Sequence, residues 1–153
     1  MTTTPLAATV DRAKALAHPG RLRILAMLRQ GELCVCQMTA VLHLAPSTVS
    51  AHLSDLRRAG LVVERKDAKW VRYRLTDDET LKQLLHDALL LVEADRQIGE
   101  DAKVVRSLRR IPVETLCRAG LDLGRFGLRD PAEAASQAAR RRRKQTRRAR
   151  HGG

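Results

Sequence analysis

Residues 43–62 have the sequence HLAPSTVSAHLSDLRRAGLV, and this stretch decides the fold. Pro46 is typical of a first helical turn, and Gly60 supplies the left-handed residue at which helices often end. Between them, three apolar residues recur at i, i+4 and i+7 and predict one buried stripe: Val49, Leu53 and Leu56. A shorter apolar segment, residues 36–42, precedes a tight turn at 43–45. The pattern therefore predicts a helix-turn-helix.

The segment that follows predicts a β-hairpin. Runs rich in β-prone residues at 61–65 and 70–75 flank a polar turn at 66–69. In the second run apolar residues alternate with arginines, which predicts a strand with one covered face. A hairpin with a basic tip after a helix-turn-helix is a wing. The predicted fold class is therefore mainly α with a small β-hairpin wing, a winged helix-turn-helix.

Helices are predicted on both sides of this unit. Two precede it, beginning at Pro5 and Pro19, and a capping box at 76–79 begins another. The leucines of this last helix form a wider apolar face than one small domain covers. We therefore expect a homodimer, because helix-turn-helix proteins also commonly bind paired half-sites.

Charge is concentrated near the C-terminus. Residues 140–150 carry eight basic and no acidic side chains, about two thirds of the net charge of +12. Such blocks are often disordered and contact nucleic acid. We expect three regions: a winged helix-turn-helix DNA-binding and dimerisation domain at 1–98, a C-terminal helical extension at 99–139, and a disordered basic tail at 140–153.

The location of the protein bears on its cysteines. No apolar run approaches the roughly 18 residues of a membrane span, and no signal peptide is evident. We therefore expect no membrane association and a cytoplasmic protein with reduced thiols. The three cysteines, Cys34, Cys36 and Cys117, are an odd number. Metal binding or redox sensing is thus favoured over structural disulfides.

Four segments carry a family resemblance: ALAHPGRLRILAML, GELCVC, LAPSTVSAHLSDLRRAGLV and ERKDAKWVRYRL. In this order they resemble the ArsR/SmtB family of metal-sensing winged-helix repressors, and ELCVC is similar to the arsenic-responsive branch. The resemblance implies a homodimer that binds operator DNA when metal-free. It also implies that the inducer, As(III) or Sb(III), binds cysteine thiolates and releases the DNA.

The chain departs from that branch at one position. The branch commonly continues as Cys-x-Cys-x-x-Cys, and Thr39 stands where the third cysteine would fall. Cys117 of the same or the partner chain, an exogenous thiol or Met38 could replace it. We take Cys34, Cys36 and Cys117 as the expected ligands. Residues two apart on a helix point about 200° apart, so binding requires an irregular helix start or an unwound first turn.

Residues expected to contact DNA follow from the geometry of the motif. Side chains early on the second helix meet base edges, and cations at its end and on the wing meet phosphates or the minor groove. The expected base contacts are Ser47, Thr48, Ser50 and His52. The expected backbone contacts are Arg57, Arg65, Lys66, Lys69 and Arg72.

Three alternatives differ in function. One is a dithiol redox or persulfide sensor of the same fold, and another is a non-specific nucleic-acid binder that acts through the tail. The third is a thiol oxidoreductase, but Cys-x-Cys is not the usual redox spacing and no βαβ pattern surrounds it. Because no catalytic triad is evident either, we expect no enzyme and no catalytic residues.

Overall fold

The computed structural model describes residues 4–128. The expected tail at 140–153 and the last part of the expected extension lie outside the described residues. The helices are α1 (Pro5–Leu16), α2 (Pro19–Leu28), α3 (Val35–Leu42), α4 (Pro46–Arg58), α5 (Glu79–Val92), α6 (Arg96–Leu108) and α7 (Val113–Arg118). The strands are β1 (Leu33–Cys34), β2 (Val62–Asp67) and β3 (Trp70–Leu75), and a 3-10 turn covers Leu123–Phe126.

The helix-turn-helix is formed by α3 and α4. The chain leaves α3 through His43, which adopts a left-handed conformation with φ of 53°. The predicted stripe of α4 is confirmed, because all three of its apolar residues are fully buried: Val49, Leu53 and Leu56. Gly60 follows α4 with φ of +77°, a conformation that L side chains rarely adopt. The stripe fixes which face of α4 is left for other contacts.

The wing belongs to a three-stranded antiparallel sheet in the order β1-β3-β2. The hairpin pairs Val62 with Leu75 and Asp67 with Trp70, so the first strand reaches beyond the predicted 61–65. The pairing of β1 with β3, Cys34 opposite Arg72, has no signal in so short a segment. On β3 every residue is half-buried, and Tyr73 and Leu75 of the predicted covered face pack against the core.

Helix α5 begins two residues later than the capping box at 76–79 predicts. Its cap is Asp78, whose carboxylate accepts from the Leu81 N–H at 3.0 Å, while the Thr76 hydroxyl accepts from the Asp78 N–H at 3.2 Å. The helix buries one narrow stripe, and Leu84, Leu90 and Leu91 of its wide apolar face stay exposed at 37%, 47% and 88%. Exposed Leu6 and Val10 of α1 add to the uncovered apolar surface.

Helices α6 and α7 belong to the same core as the winged unit. Their buried apolar residues join a single cluster with those of α2 to α4: Val104, Val105, Leu108 and Leu116. Arg23 of α2 donates two hydrogen bonds, at 2.7 and 2.9 Å, to Asp101, which is 1% exposed. The expected boundary at residue 98 falls inside α6. Within residues 4–128, no helix has the length and apolar character needed to cross a bilayer.

Candidate thiol site and nucleic-acid interface

Cys34 lies at the junction of the wing sheet and α3. It is the last residue of β1 and the N-cap of α3, with extended φ and ψ of −92° and 166°. Its N–H donates to Gln37 Oε1 at 2.9 Å, and its sulfur accepts from the Gln37 N–H. Cys36 lies in the first helical turn. Cys34 therefore stands outside the regular helix, and the start of α3 is irregular in the way that the Cys-x-Cys spacing allows.

Three thiols meet at this junction. The Cys36 thiol lies close enough to the thiols of Cys34 and Cys117 for both to influence its pKa. All three are free cysteines, with Cys34 buried and the other two partly buried. We call Cys34, Cys36 and Cys117 the thiol cluster. Cys117 reaches it from α7 of the same chain, whereas Met38, the thioether alternative, is fully buried in the hydrophobic core.

The environment of the thiol cluster favours neutral thiols. Burial raises the pKa of Cys34, although the backbone hydrogen bond from Gln37 opposes it. Burial raises the pKa of Cys36 to about 12, and the hydrogen bond with Cys117 adds to the rise. Both groups are therefore protonated at neutral pH.

The donor set is soft and uniform. Across residues 4–128, no three His, Cys, Asp or Glu side chains are arranged to hold a metal ion as they stand. The thiol cluster nevertheless places three sulfur donors near one another, two at the start of α3 and one on α7. Sulfur ligands select thiophilic elements. Binding of a three-coordinate thiophilic ligand would require the three side chains to turn their sulfurs towards it.

Thr39 lies one helical turn after Cys36. It is 6% exposed, and its Oγ1 is the buried side-chain polar atom that lacks a hydrogen-bond partner within residues 4–128. An unsatisfied buried hydroxyl costs roughly 1–3 kcal/mol. The position expected to carry a third cysteine thus holds an unpaired hydroxyl, and α7 brings a thiol to Cys36 instead.

The outer face of α4 carries small polar groups that are free to bind. Ser47, Thr48 and Ser50 are exposed, and their hydroxyls make no hydrogen bond to other described residues. His52 differs, because its half-buried ring lies 4.4 Å from the ring of His18, centroid to centroid. Burial, followed by the charges of His18 and Arg21, lowers the pKa of His52. Its ring is therefore already engaged within the molecule.

Most of the cations expected to contact phosphate are held by carboxylates. Each of four lies in an ion pair: Arg57 with Glu64 at 2.7 Å, Arg65 with Glu32 at 2.6 Å, Arg72 with Asp67 at 2.7 Å, and Lys69 with Glu114. Lys69 also lies 5.3 Å from the Trp70 ring centroid. Lys66 is exposed and has no ion pair with any residue in 4–128.

Sequence reasoning missed the carboxylates. Glu32 and Glu114 lie 33 and 45 positions from the cations they pair with, so no local spacing could reveal them. Asp67, predicted to lie in the polar turn, is the last residue of β2; it pairs with Trp70 and lies diagonally across from its ion-pair partner Arg72. These three residues determine which wing cations are available to DNA.

The thiol cluster is joined to the DNA-facing elements by backbone and packing. Cys34 pairs with Arg72 across β1 and β3, and α3 packs against α4. Arg109 of α6 donates to the Glu32 carbonyl at 3.1 Å, which fixes the loop before Cys34. A change at the cluster therefore meets the wing sheet and the first helix of the helix-turn-helix directly.

Comparison with known proteins agrees with this architecture. Residues 18–63 match the model of the family described as bacterial regulatory protein, arsR family. The chain is 46% identical over 63 residues to the arsenic resistance transcriptional regulator ArsR1 of Pseudomonas putida, a match over 40% of this chain and 49% of that protein. The chain thus spans about half the length of that relative.

Two further relatives are covered more fully. The transcriptional activator HlyU of Vibrio cholerae is 45% identical over 75 residues, which cover 48% of this chain and 69% of HlyU. The homodimeric winged helix-turn-helix DNA-binding domain of Mb0332 from Mycobacterium bovis superposes with a TM-score of 0.53 at 30% identity, covering 59% of this chain and 82% of that one.

These matches confirm the predicted fold class and the predicted family. They also confirm that the chain is not an enzyme, since the family consists of regulators. They do not distinguish an arsenic-responsive branch, and the DNA and thiol ligand residues stay predictions. With the winged helix-turn-helix in place and these relatives matched, the chain belongs to the arsR family of bacterial regulatory proteins.

Proposed function

We propose that the protein is a cytoplasmic, metalloid-responsive transcriptional repressor that binds operator DNA as a homodimer. As(III) or Sb(III) binds Cys34, Cys36 and Cys117 and releases the DNA. The observation that carries the proposal is the contact of the Cys36 thiol with both other thiols within one chain. The matched arsenic resistance regulator supports the choice of ligand.

Burial of the thiol cluster favours a trivalent metalloid over a divalent metal. A neutral trihydroxide M(OH)₃ and three thiols form three M–S bonds and release three waters, so net charge does not change. A divalent cation held by three thiolates would leave a negative charge at a site where Cys34 is 1% exposed. Burying an uncompensated charge is costly.

Release of DNA follows from the position of the thiol cluster. Bonds to Cys34 and Cys36 shift the start of α3, and this shift is passed to α4 because α4 packs against α3. The shift needed is small, because a preference of about 1.4 kcal/mol for the unbound arrangement lowers operator occupancy tenfold.

The DNA-facing roles are assigned by exposure. Ser47, Thr48 and Ser50 contact bases, and Lys66 contacts backbone phosphate without first leaving an ion pair. Arg57, Arg65, Lys69 and Arg72 bind after exchanging carboxylate for phosphate. His52 orders α4 against His18 and contributes to DNA binding through that packing.

The dimer uses the apolar faces left uncovered on α1 and α5, whose exposed residues are Leu6, Val10, Leu84, Leu90 and Leu91. The domain at 1–98 binds DNA and dimerises, and the extension at 99–139 supplies Cys117. The basic tail at 140–153 adds affinity for DNA that is independent of sequence.

The proposal is tested by replacing the cysteines and measuring operator binding with and without arsenite. The double variant C34S/C36S should bind DNA as tightly as the wild type and lose release by arsenite. C117S separates the sources of the third sulfur: it should lose release, and added glutathione should restore part of it. Normal release of the double variant would place the inducer site elsewhere.

A second candidate is a redox-sensing repressor, which the Cys36–Cys117 contact favours. A hydroperoxide ROOH would oxidise the two thiols to a disulfide and give ROH and water, and a polysulfide would give persulfides or the same disulfide. The raised pKa of Cys36 slows this route, because the thiolate is the attacking species. Release by peroxide or polysulfide, with no response to arsenite, would favour this candidate.

A further inference from the structure

Helix α7 contacts the thiol cluster and the wing at the same time. Helix α7 packs on α3 and places the Cys117 thiol beside Cys36, and Glu114 forms an ion pair with Lys69 at the tip of the wing. The two residues are three apart, so they are neighbours on one side of this six-residue helix. Between them Leu116 is fully buried and anchors α7 in the core.

The Glu114–Lys69 pair differs from the other wing pairs. Asp67 belongs to the wing and Glu32 to the loop before β1, whereas Glu114 comes from the extension. Among the described residues, it is the wing ion pair that depends on where α7 lies. The Lys69 ammonium holds the pKa of the Glu114 carboxyl below its usual value, so the carboxylate is charged at neutral pH.

The pair is weak enough for DNA to replace it. The two side chains are 64% and 50% exposed. An exposed ion pair of this kind shifts an equilibrium by at most roughly fivefold. A backbone phosphate offers Lys69 the same interaction, and the gain from releasing a counterion.

We propose that α7 is a latch between the thiol cluster and the wing, in which Glu114 competes with a DNA phosphate for Lys69. This inference rests on the proposed function for its ligand-dependent half. A metalloid that joins Cys117 to Cys36 keeps α7 docked on α3 and so keeps Glu114 on Lys69. In the absence of the metalloid, α7 is held by its own packing alone, and a DNA phosphate displaces Glu114 from Lys69 more readily. The extension thus regulates the affinity of the wing for DNA through the carboxylate of Glu114.

The first test needs no metalloid. Binding of E114Q and the wild type to a 30-bp duplex is measured over a series of salt concentrations, with ~30 bp chosen to span two half-sites. E114Q should bind about two- to fivefold tighter, with a salt slope steeper by about one, because Lys69 gains a phosphate contact.

Two controls show whether the gain comes through Lys69. E100Q removes the same charge from a carboxylate paired with Lys103 inside α6, and it should leave binding unchanged. In a K69Q background, E114Q should have no effect. An equal gain in E100Q or in the K69Q background, or no gain at all, would overturn the competition between Glu114 and phosphate.

The second test adds arsenite. E114Q should bind arsenite as the wild type does, which is measured by the ultraviolet absorbance of the metalloid–sulfur bonds. At saturating arsenite, E114Q should retain an affinity for DNA about two- to fivefold higher than that of the wild type. Release identical to the wild type would overturn the ligand-dependent half of the latch. If arsenite binds neither protein, the proposed function fails while the salt-dependence test still decides whether Glu114 withholds Lys69.

Discussion

The outer face of α4 and the wing are the two regions expected to contact DNA. They differ in whether their side chains already have partners within the protein. The hydroxyls of Ser47, Thr48 and Ser50 are exposed and make no hydrogen bond to other described residues. On the wing, three of the four expected contacts, Arg65, Lys69 and Arg72, are in ion pairs.

This difference separates two kinds of contact. The face of α4 is held by a buried stripe and needs no rearrangement, so its contribution to DNA binding is constant. Each paired cation of the wing must exchange a carboxylate for a phosphate, so its contribution depends on what holds the carboxylate. We therefore expect sequence recognition from α4 and adjustable affinity from the wing.

The largest expected effect comes from weakening the buried packing that holds α4 in place. L53A empties a fully buried position of the stripe and should lower the free energy of unfolding by about 2–5 kcal/mol. Urea denaturation followed by circular dichroism measures it.

S54A, one residue further on and half-buried, is the matched control and should change stability by less than about 0.5 kcal/mol. Equal losses in the two variants would show that the stripe does not determine the orientation of α4.

The next effect separates recognition of the base sequence from attraction to the phosphate backbone. S47A or S50A should lower the preference for operator over random DNA by about 1–3 kcal/mol if the hydroxyl contacts a base. K66Q should instead weaken binding to both duplexes alike and lower the salt slope by about one. Competition binding with the two duplexes measures both.

A fall in operator preference with K66Q, or a uniform loss with the serine variants, would reverse the roles of helix and wing. R72Q serves as the paired-cation counterpart of K66Q. Its loss should be smaller, because Arg72 gives up Asp67 before it binds phosphate.

The smallest expected effect is a difference in pH range between the two regions. The pKa of His52 is held below its ordinary 6.5 by burial, so stability is lost as pH falls from 6.5 to that lower value. The pKa of Glu32 is held below 4.5 by the Arg65 hydrogen bond, so its contribution is present above 4.5 and is lost as pH falls through the depressed value.

Urea denaturation at a series of pH values measures both steps. H52N should remove the step just below 6.5, and E32Q should remove the step below 4.5. A single step common to both variants would mean that α4 and the wing do not titrate separately.

The part of the molecule that could be predicted from the sequence is the part with local periodicity. The i, i+4, i+7 stripe of α4, the glycine after it and the alternating strand β3 are short-range patterns, and they specify a winged helix-turn-helix. Strand β1 has two residues and therefore no period to detect. Helix α6 was predicted only as part of a helical extension without bounds, although Asp95 caps it through the N–H groups of Gln97 and Ile98.

The candidate site divides in the same way. The Cys34–Cys36 pair is visible because a single residue separates the two cysteines, and an irregular helix start is one of the two arrangements that this spacing allows. Cys117 could be offered only as one of several third ligands, since its approach depends on how α7 packs on α3. The pairing of Glu32, Asp67 and Glu114 with the wing depends on tertiary structure in the same way.

The shared core of α2 and α6 has a consequence for how such a regulator can be shortened. A fragment that ended at residue 98 would retain every element that reads DNA, yet it would leave Arg23 without Asp101 and strip the cover from α2 and α3. Shortening the chain to residue 98 would therefore expose apolar surface of α2 and α3 and yield a polypeptide that folds poorly and aggregates. Helices α6 and α7 are an integral part of this fold, because they could be removed only if the core residues that they cover were replaced as well.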